Sequence, residues 1–292
     1  MSGVQLPFGL PEVDYSNYSN RQLAALPLGV LLAALLVIGG FWVVTGAPVD
    51  PGIAFTGGTE MRVVADGDAT REDLRTAFDT QPASIRSVPS DDSYIVTFDA
   101  DVQARQVESR AQDAGFEVLS VDSTSASFGE SAQIQAIGGV IVAFAGMSVL
   151  VFGMFRTFVP SIAVVVSAFS DIVVPVALMN LLGIELTLGS VAALLMLIGY
   201  SVDSDILLNN HIIRRSGRFY ESAYRAMETG ITMTLTSLSA MIVMTLVATA
   251  FGIGLLSSIG LILVFGLATD LMNTYMLNMS LLRWWKYEGV GR

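Results

Sequence analysis

Six apolar stretches, each about 20 residues long or more, constrain the fold of this chain most strongly. An α-helix of that length crosses the roughly 30 Å hydrocarbon core of a bilayer. The sequence is 53% hydrophobic and 14% charged, whereas soluble domains contain about 25% charged residues. We therefore predict a polytopic α-helical membrane protein. The expected spans are residues 22–45, 131–155, 158–182, 186–210, 229–251 and 254–282.

Arginine and lysine in the short connections predict the orientation. Arg21 precedes the first span and Arg156 separates the second from the third, whereas the turns at 183–185 and 252–254 carry no basic residue. Basic loops stay on the cytoplasmic side. We therefore expect cytoplasmic termini (1–21 and 283–292) in a multi-pass protein of the cytoplasmic membrane. Segment 211–228, also basic, is predicted to be a cytoplasmic amphipathic helix at the membrane surface.

Residues 46–130 are the long polar insertion and are expected outside the cell. Their patterns follow the order β-α-β-β-α-β, which is that of an α+β ferredoxin-like domain. Sixteen acids face six arginines between Ala47 and Glu130, which argues against nucleic acid as a partner. Such acidity suits a domain that stays soluble in high salt, as in a halophile, although an ordinary acidic surface also fits it.

The insertion contains no recognisable nucleophile–base pair, metal-ligand cluster or phosphate loop. We therefore expect contact rather than catalysis from it, with no cofactor, no metal and no enzymatic activity.

Four aspartates interrupt the apolar spans: Asp171, Asp203, Asp205 and Asp270. A charge at the bilayer centre costs about 2.5–3.5 kcal/mol on insertion scales, and the sequence offers no Arg, Lys or His at comparable depth. We expect at least one carboxyl to be protonated, or an external cation to be bound. Asp203 and Asp205 must point to different helix faces; we predict that Asp203 faces the bundle and Asp205 a cytoplasmic vestibule. The acids either relay an ion or proton, or hydrogen-bond across helices.

The fifth span carries a row of small hydroxyl residues that includes Thr232, Thr236 and Ser239. Small hydroxyls let helices approach closely and hydrogen-bond to one another. A second interpretation is that Thr232 and Thr236 solvate the ion or proton that Asp203 handles.

Three motifs resemble a known family. They are GIAFTGGT after the first span (with Gly52, Phe55, Gly57 and Gly58), IGYSVDSDILLNNHIIR in the fourth (with Gly199, Tyr200 and Ser201), and AMETG followed by TLTS at the fifth. In this order they resemble the SecD/SecF family of protein-export subunits in the resistance-nodulation-division superfamily. The pattern is similar to the archaeal version, and the short external domain to its SecF-type branch.

The resemblance implies the six-helix half of a resistance-nodulation-division bundle, acting as an accessory subunit of the Sec translocase. Implied partners are a SecD-like subunit, the SecY channel, the translocating polypeptide and membrane lipid. In bacterial relatives an aspartate and an arginine use the proton-motive force. This chain has Ala54 in place of the first motif's aspartate, and no arginine at 231–233, so ion coupling stays open.

Two rival functions remain open at this stage. The first is a stand-alone, half-size exporter of hydrophobic molecules or lipids that acts as a homodimer. The second is an intramembrane aspartyl protease that uses Asp203 and Asp270, although the sequences around these residues differ from the motifs of such enzymes.

Overall fold

The computed structural model of the chain describes residues 15–64, 71–88, 93–214 and 219–289. The helices are α1 (Asn20–Thr45), α2 (Ile53–Thr56), α3 (Arg71–Ala77), α4 (Ala104–Asp113), α5 (Ala126–Phe155), α6 (Phe158–Leu182), α7 (Leu188–Arg214), α8 (Phe219–Ala250), α9 (Gly254–Met272), a π-helix (Asn273–Asn278) and α10 (Met279–Tyr287). The strands are β1 (Gly58–Val64), β2 (Ser84–Val88), β3 (Ser93–Phe98) and β4 (Glu117–Thr124).

Six helical units in the described part of the chain are long and apolar enough to cross a membrane. They are α1, α5, α6, α7, α8 and the continuous unit from α9 through the π-helix to α10. Local signals fix their ends: Ser19 and Gln22 form a capping box at the start of α1, which satisfies amide groups that lack intrahelical partners. Gly46, with φ of +81°, ends the same helix. The predicted set of six apolar helices is thus confirmed.

The bundle is arranged around α6, most of which is buried, whereas little of α1, α5 and α8 is buried. Apolar side chains pack α6 against α1 on one side, through Ala34 and Val174, and against α7 and α9 on the other, through Met179, Leu197 and Leu263. The outer faces of α5 and α8 are left with exposed large apolar residues. Such faces are covered by lipid or by another membrane chain.

The domain between α1 and α5 is a four-stranded antiparallel sheet with strand order β2-β3-β1-β4. Helices α3 and α4 cover one face. The buried core of this domain contains Met61, Val63, Leu74, Phe78, Val96, Phe98, Val107 and Ala111. Because side chains alternate along a strand, the residues between the core positions of β1, Glu60 and Arg62, point to the opposite face.

That opposite face lies on the turns that join the membrane-spanning helices. Arg86 Nη2 is 2.7 Å from Glu185 Oε1, and Arg86 Nη1 donates to the Gly183 carbonyl oxygen at 3.3 Å. Arg62 Nη1 donates to the Gly252 carbonyl oxygen at 2.5 Å. Burial raises the pKa of Glu185, and the Arg86 charge opposes that rise. Two arginines therefore attach the sheet to the ends of the bundle.

The helix boundaries differ from the expected segments in two places. Helix α8 runs without a break from Phe219 to Ala250, so the described part of the predicted surface helix at 211–228 is the end of α7 and the first turns of α8. The cause is burial: Phe219, Ala223 and Met227 pack against Leu282 of α10 in one cluster. Helix α5 begins at Ala126, before the expected start at 131.

Parts of four expected segments lie outside the described residues. These are positions 1–14 of the predicted N-terminal segment, 65–70 and 89–92 of the external domain, 215–218 of the predicted amphipathic helix and 290–292 of the predicted cytoplasmic tail.

Candidate functional site

Three of the four membrane aspartates are buried inside the bundle. Asp171 of α6, Asp205 of α7 and Asp270 of α9 are each at most 2% exposed. The helices that carry them pack against one another because their facing surfaces are small or apolar, with Ala193 and Leu197 of α7 against Leu263 of α9. The sequence-predicted acids are therefore brought together from three different spans.

Asp171 is held by donors from two other segments. Ser201 Oγ donates to its Oδ2 at 2.5 Å, and Asn273 Nδ2 donates to its Oδ1 at 2.6 Å. Both oxygens of this carboxyl are thus partnered across the bundle.

Asp205 and Asp270 share a threonine. The Thr274 hydroxyl lies 2.9 Å from Asp205 Oδ1 and 3.2 Å from Asp270 Oδ1. Ser204 Oγ lies 2.8 and 3.0 Å from the two oxygens of Asp270, and Asn278 Nδ2 donates to Asp205 Oδ1 at 2.7 Å. A hydroxyl has one proton to donate, so Thr274 serves one of its two carboxyls at a time.

The π-helix positions the donors of the last span. Asn273, Thr274 and Asn278 all belong to it, and all three are fully buried. A π-helical turn carries an extra residue relative to an α-turn and is often found at functional sites. Here it faces two amides and a hydroxyl toward carboxyls on α6, α7 and α9.

The carboxylate network is rich in oxygen atoms that lack a partner. Asp205 Oδ2, Asn273 Oδ1 and Asn278 Oδ1 are buried without a hydrogen bond, as are the Ser167 and Ser170 hydroxyls. The ion pairs formed by described residues include none with these three acids. No cluster of three metal-ligating side chains occurs in the described ranges. The chemistry available to these groups is the uptake of a proton by a carboxyl, and oxygen is also the ligand that hard cations prefer.

Asp203 does not face the bundle, so the predicted orientation of this pair is wrong. Asp205 is fully buried, whereas Asp203 is exposed on the outer surface of α7. It lines a 150 Å³ cleft between α7, α8 and α9, together with Tyr200, Gly230, Ser237 and Asp270. Residues two apart on a helix lie about 200° apart around the axis, so only one of the pair can point inward. Asp203 and Asp270 both line this cleft.

The predicted hydroxyl row does not join the network. Thr232 donates to the Glu228 carbonyl oxygen at 2.7 Å, and Thr236 to the carbonyl oxygens of Thr232 and Met233 at 3.0 and 2.8 Å. Both side chains are exposed and are bonded within their own helix. The α8 residues that line the cleft are instead Thr234 and Ser237.

The glycine motif after the first span forms a joint between the sheet domain and the bundle. Gly57 has φ of +73°, and a Cβ there would lie 2.7 Å from Ala126 Cα at the start of α5. Gly58 has φ of +129°, with a Cβ position 2.5 Å from the Phe98 carbonyl oxygen. Gly52 N–H donates to the Leu186 carbonyl oxygen at 2.9 Å, and Phe55 is buried. These residues pack backbone against backbone.

Of Gly199, Tyr200 and Ser201 in the fourth-span motif, only Ser201 reaches the network. Ser201 binds Asp171, whereas Tyr200 is 40% exposed on the surface that carries Asp203. Gly199 has no atom within 4 Å of its Cβ position. Sequence reasoning missed Ser204, Asn273, Thr274 and Asn278. The spacing of Asp270, Asn273, Thr274 and Asn278 along one helical face was a usable signal.

Comparison with known families decides where this bundle belongs. A family model described as protein export membrane protein SecD/SecF, C-terminal, matches residues 104–288, which is well over half of the chain. The chain belongs to the SecD/SecF family. Two relatives in that family, both named protein-export membrane protein SecF, come from the halophilic archaea Haloferax volcanii and Haloquadratum walsbyi. They are 68% and 63% identical over 98% of this chain and 99% of their own lengths.

SecD/SecF architecture is also found among solved structures. The crystal structure of SecDF, a translocon-associated membrane protein from Thermus thermophilus, matches with a TM-score of 0.78 at 21% identity. The match covers 95% of this chain and 39% of that chain. At this identity the match supports a shared fold alone. The matched region makes up about two fifths of the longer SecDF chain.

Proposed function

We propose that this chain is a SecF-type accessory subunit of the Sec translocase that assists protein export. The observation that carries the proposal is the 68% identity over 99% of the length of the Haloferax volcanii protein-export membrane protein SecF. A non-enzymatic role fits this assignment, because the external domain contributes contact surfaces. By the pattern of basic loops, the chain lies in the cytoplasmic membrane with both termini inside.

A SecD-like subunit is the proposed partner, and the SecY channel and the translocating polypeptide are the proposed targets. The exposed outer face of α7 and α8 supports a membrane partner, because it carries Asp203 and Tyr200 among apolar residues. A carboxylate left facing lipid would cost several kcal/mol. Six further spans from the partner would cover this face and complete a twelve-helix bundle.

The external domain is proposed to be ferredoxin-like. Its support is the antiparallel strand order β2-β3-β1-β4, with α3 connecting β1 to β2 and α4 connecting β3 to β4. In this arrangement the sheet rests on the ends of the bundle through Arg62 and Arg86. A shift among the spans would therefore be passed to the domain that meets the emerging polypeptide.

The carboxylate network is the proposed site of ion or proton coupling. Asp205 is its centre, because its buried Oδ2 has no partner while Oδ1 accepts from Thr274 and Asn278. Moving one charge across the membrane potential releases about 2.3 kcal/mol per 100 mV. That corresponds to roughly a fifty-fold shift in a conformational equilibrium.

Substitution of the two neighbouring acids tests the coupling proposal. Cells that lack the native gene are complemented with the wild type, Asp205→Asn, Asp203→Asn or the control Asp101→Asn, and a secreted reporter is measured. Asp101 is an exposed acid of the external domain. We expect Asp205→Asn to abolish most of the complementation and Asp101→Asn to have no effect. Normal secretion by both Asp205→Asn and Asp203→Asn would leave the carboxylates with a structural role alone.

Co-purification tests the partner and the rival exporter. A six-span partner with its own external domain is expected to co-purify with the chain from native membranes. A homodimer without such a partner would instead favour the half-size exporter of hydrophobic molecules or lipids. The full-length match to proteins named SecF disfavours that exporter. Cleavage of a transmembrane peptide that is lost in Asp270→Asn would revive the protease.

A further inference from the structure

A cavity of about 580 Å³ lies outside the carboxylate network, where the start of α1 meets the end of α10. Trp284 and Tyr287 form part of its wall. Tryptophan and tyrosine concentrate at the membrane–water interface, where their rings lie among lipid headgroups. Both helices enter or leave the apolar zone at this level, since α1 begins at Asn20 and α10 ends at Tyr287. The cavity therefore opens at the depth of the lipid headgroups.

Two guanidinium groups line the cavity and are held differently. Arg283 is only 8% exposed. Its Nε donates to Asn20 Oδ1, and its Nη1 donates to the Tyr15 carbonyl oxygen at 3.0 Å and to the Tyr220 hydroxyl at 3.3 Å. These bonds fix the guanidinium plane and leave Nη2 without a hydrogen bond to the described residues. Arg283 is thus a preorganised donor in the wall.

The second arginine of the cavity wall has no side-chain partner in the described part of the chain. Arg21 is exposed and makes no hydrogen bond or ion pair with any described residue. It belongs to the first turn of α1, where the Ser19 side chain satisfies the Gln22 N–H. The preceding amides of that turn have no intrahelical partner, so the partial positive charge of the helix end adds to the two arginines.

Among the described residues of the wall, one carboxylate opposes this charge. Glu288 lines the cavity after the end of α10, and it forms no ion pair with either arginine among the described contacts. Among the described lining residues, two arginines against one glutamate leave a net positive charge at the membrane surface. A planar guanidinium binds phosphate through two parallel hydrogen bonds, which an ammonium group cannot do.

We propose that this cavity binds the phosphate headgroup of an anionic membrane lipid, with Arg21 and Arg283 as the phosphate ligands. The aromatic wall lies beside the glycerol and upper acyl region, and the acyl chains run along the exposed outer face of α1. This site is independent of the export role. Its occupant would join the first and last helices of the bundle through one headgroup.

Lipid titration of the purified full-length protein in detergent tests the proposal. Bound lipid is counted by native mass spectrometry with dioleoyl phosphatidylglycerol or dioleoyl phosphatidylcholine, and with inorganic phosphate alone. The variants are Arg21→Gln and a matched control, Arg225→Gln. Arg225 is an exposed arginine that pairs with Glu221 on α8, away from the cavity. Each variant removes one positive charge from an exposed helix surface.

We expect the wild type and Arg225→Gln to bind one phosphatidylglycerol tightly, and Arg21→Gln to bind it about fivefold or more weakly, the effect of losing one charge-assisted contact. Arg21→Lys, which keeps the charge but loses the fork, should fall between them. Phosphatidylglycerol should raise the unfolding temperature of the wild type and of Arg225→Gln by more than that of Arg21→Gln.

Three results would overturn the assignment. Equal phosphatidylglycerol binding by Arg21→Gln and Arg225→Gln would show that the cavity does not hold the headgroup. Equal binding of phosphatidylcholine would show that lipid charge is not recognised. Stabilisation by inorganic phosphate to the same extent as by phosphatidylglycerol would assign the cavity to a free anion instead.

Discussion

The Thr274 hydroxyl lies within hydrogen-bond distance of two buried carboxyls. Its replacement by valine measures how much this hydroxyl contributes to the free energy of unfolding. Valine has nearly the same shape as threonine but lacks the hydroxyl, so Thr274→Val opens no large cavity. It removes the donor that lies 2.9 Å from Asp205 Oδ1 and 3.2 Å from Asp270 Oδ1. Asp205 Oδ1 then keeps the Asn278 amide, and Asp270 keeps Ser204.

The expected cost follows from two scales. A hydrogen bond to a charged group contributes about 1.5–3 kcal/mol in soluble proteins. Side-chain hydrogen bonds inside membrane bundles average about 0.6 kcal/mol and reach about 1.7. Because Thr274 is fully buried and serves carboxyls, we expect Thr274→Val to lower the free energy of unfolding by about 1–2 kcal/mol.

The measurement is reversible unfolding of the purified protein in mixed detergent micelles, with Thr236→Val as the matched control. The Thr236 hydroxyl is exposed and bonds to carbonyl oxygens of its own helix, so its loss should change the free energy of unfolding by less than about 0.5 kcal/mol. Equal shifts in the two variants would refute the view that carboxyl bridging stabilises the bundle.

Further predictions concern the joint and the attachment of the external domain. Gly57→Ala should lower the free energy of unfolding by about 2 kcal/mol or more, because the strain of a positive φ and a collision with the backbone add. Gly46→Ala is the control: Gly46 has φ of +81° but open space around its Cβ position, so the substitution should cost about 1 kcal/mol. Equal melting temperatures of the two variants would contradict the packing argument. Arg86→Gln should speed amide hydrogen exchange in the 183–187 turn while changing global stability by less than about 1 kcal/mol, since the pair with Glu185 is partly exposed. Burial raises the pKa of Glu185, so the folded protein binds more protons than the unfolded chain between the ordinary glutamate pKa and the raised value. Its contribution to stability is therefore complete below the ordinary pKa and is lost as the pH rises through the raised one; a pH series of unfolding free energies should show this loss in the wild type and not in Glu185→Gln.

The apolar pattern and the acids within it predicted much of this protein. Six long apolar stretches give six membrane-spanning units, because a helix is the only open structure that satisfies its own backbone in lipid. Asp171, Asp203, Asp205 and Asp270 were recognisable as acids inside the apolar spans, but the sequence prediction placed Asp203 rather than Asp205 toward the bundle. The resemblance to the SecD/SecF family, based on three short motifs, is confirmed.

Which side chains point toward the interior of the bundle was harder to predict. Asp203 and Asp205 lie in equally apolar surroundings, so hydropathy cannot say which one points inward. The inward face of α7 is marked instead by buried polar residues: Ser201, Asp205 and Asn209 follow one another at four-residue spacing, and Ser204 lies three residues after Ser201. The hydroxyls of Thr232 and Thr236 gave a false signal because a helix can satisfy them from its own carbonyl oxygens.

The π-helical turn at 273–278 links the middle of the bundle to the membrane surface mechanically. Relaxation of this turn to an ordinary α-turn would shift the register of everything after it by one residue, a rotation of about 100°. The Asn278 amide would then lose its hydrogen bond to Asp205. Helix α10 would rotate about its axis, and the Arg283 guanidinium would move away from Tyr15 and Asn20. Relaxation of this one turn would therefore couple the contacts of a carboxyl in the apolar interior to the contacts that hold the start of the first helix.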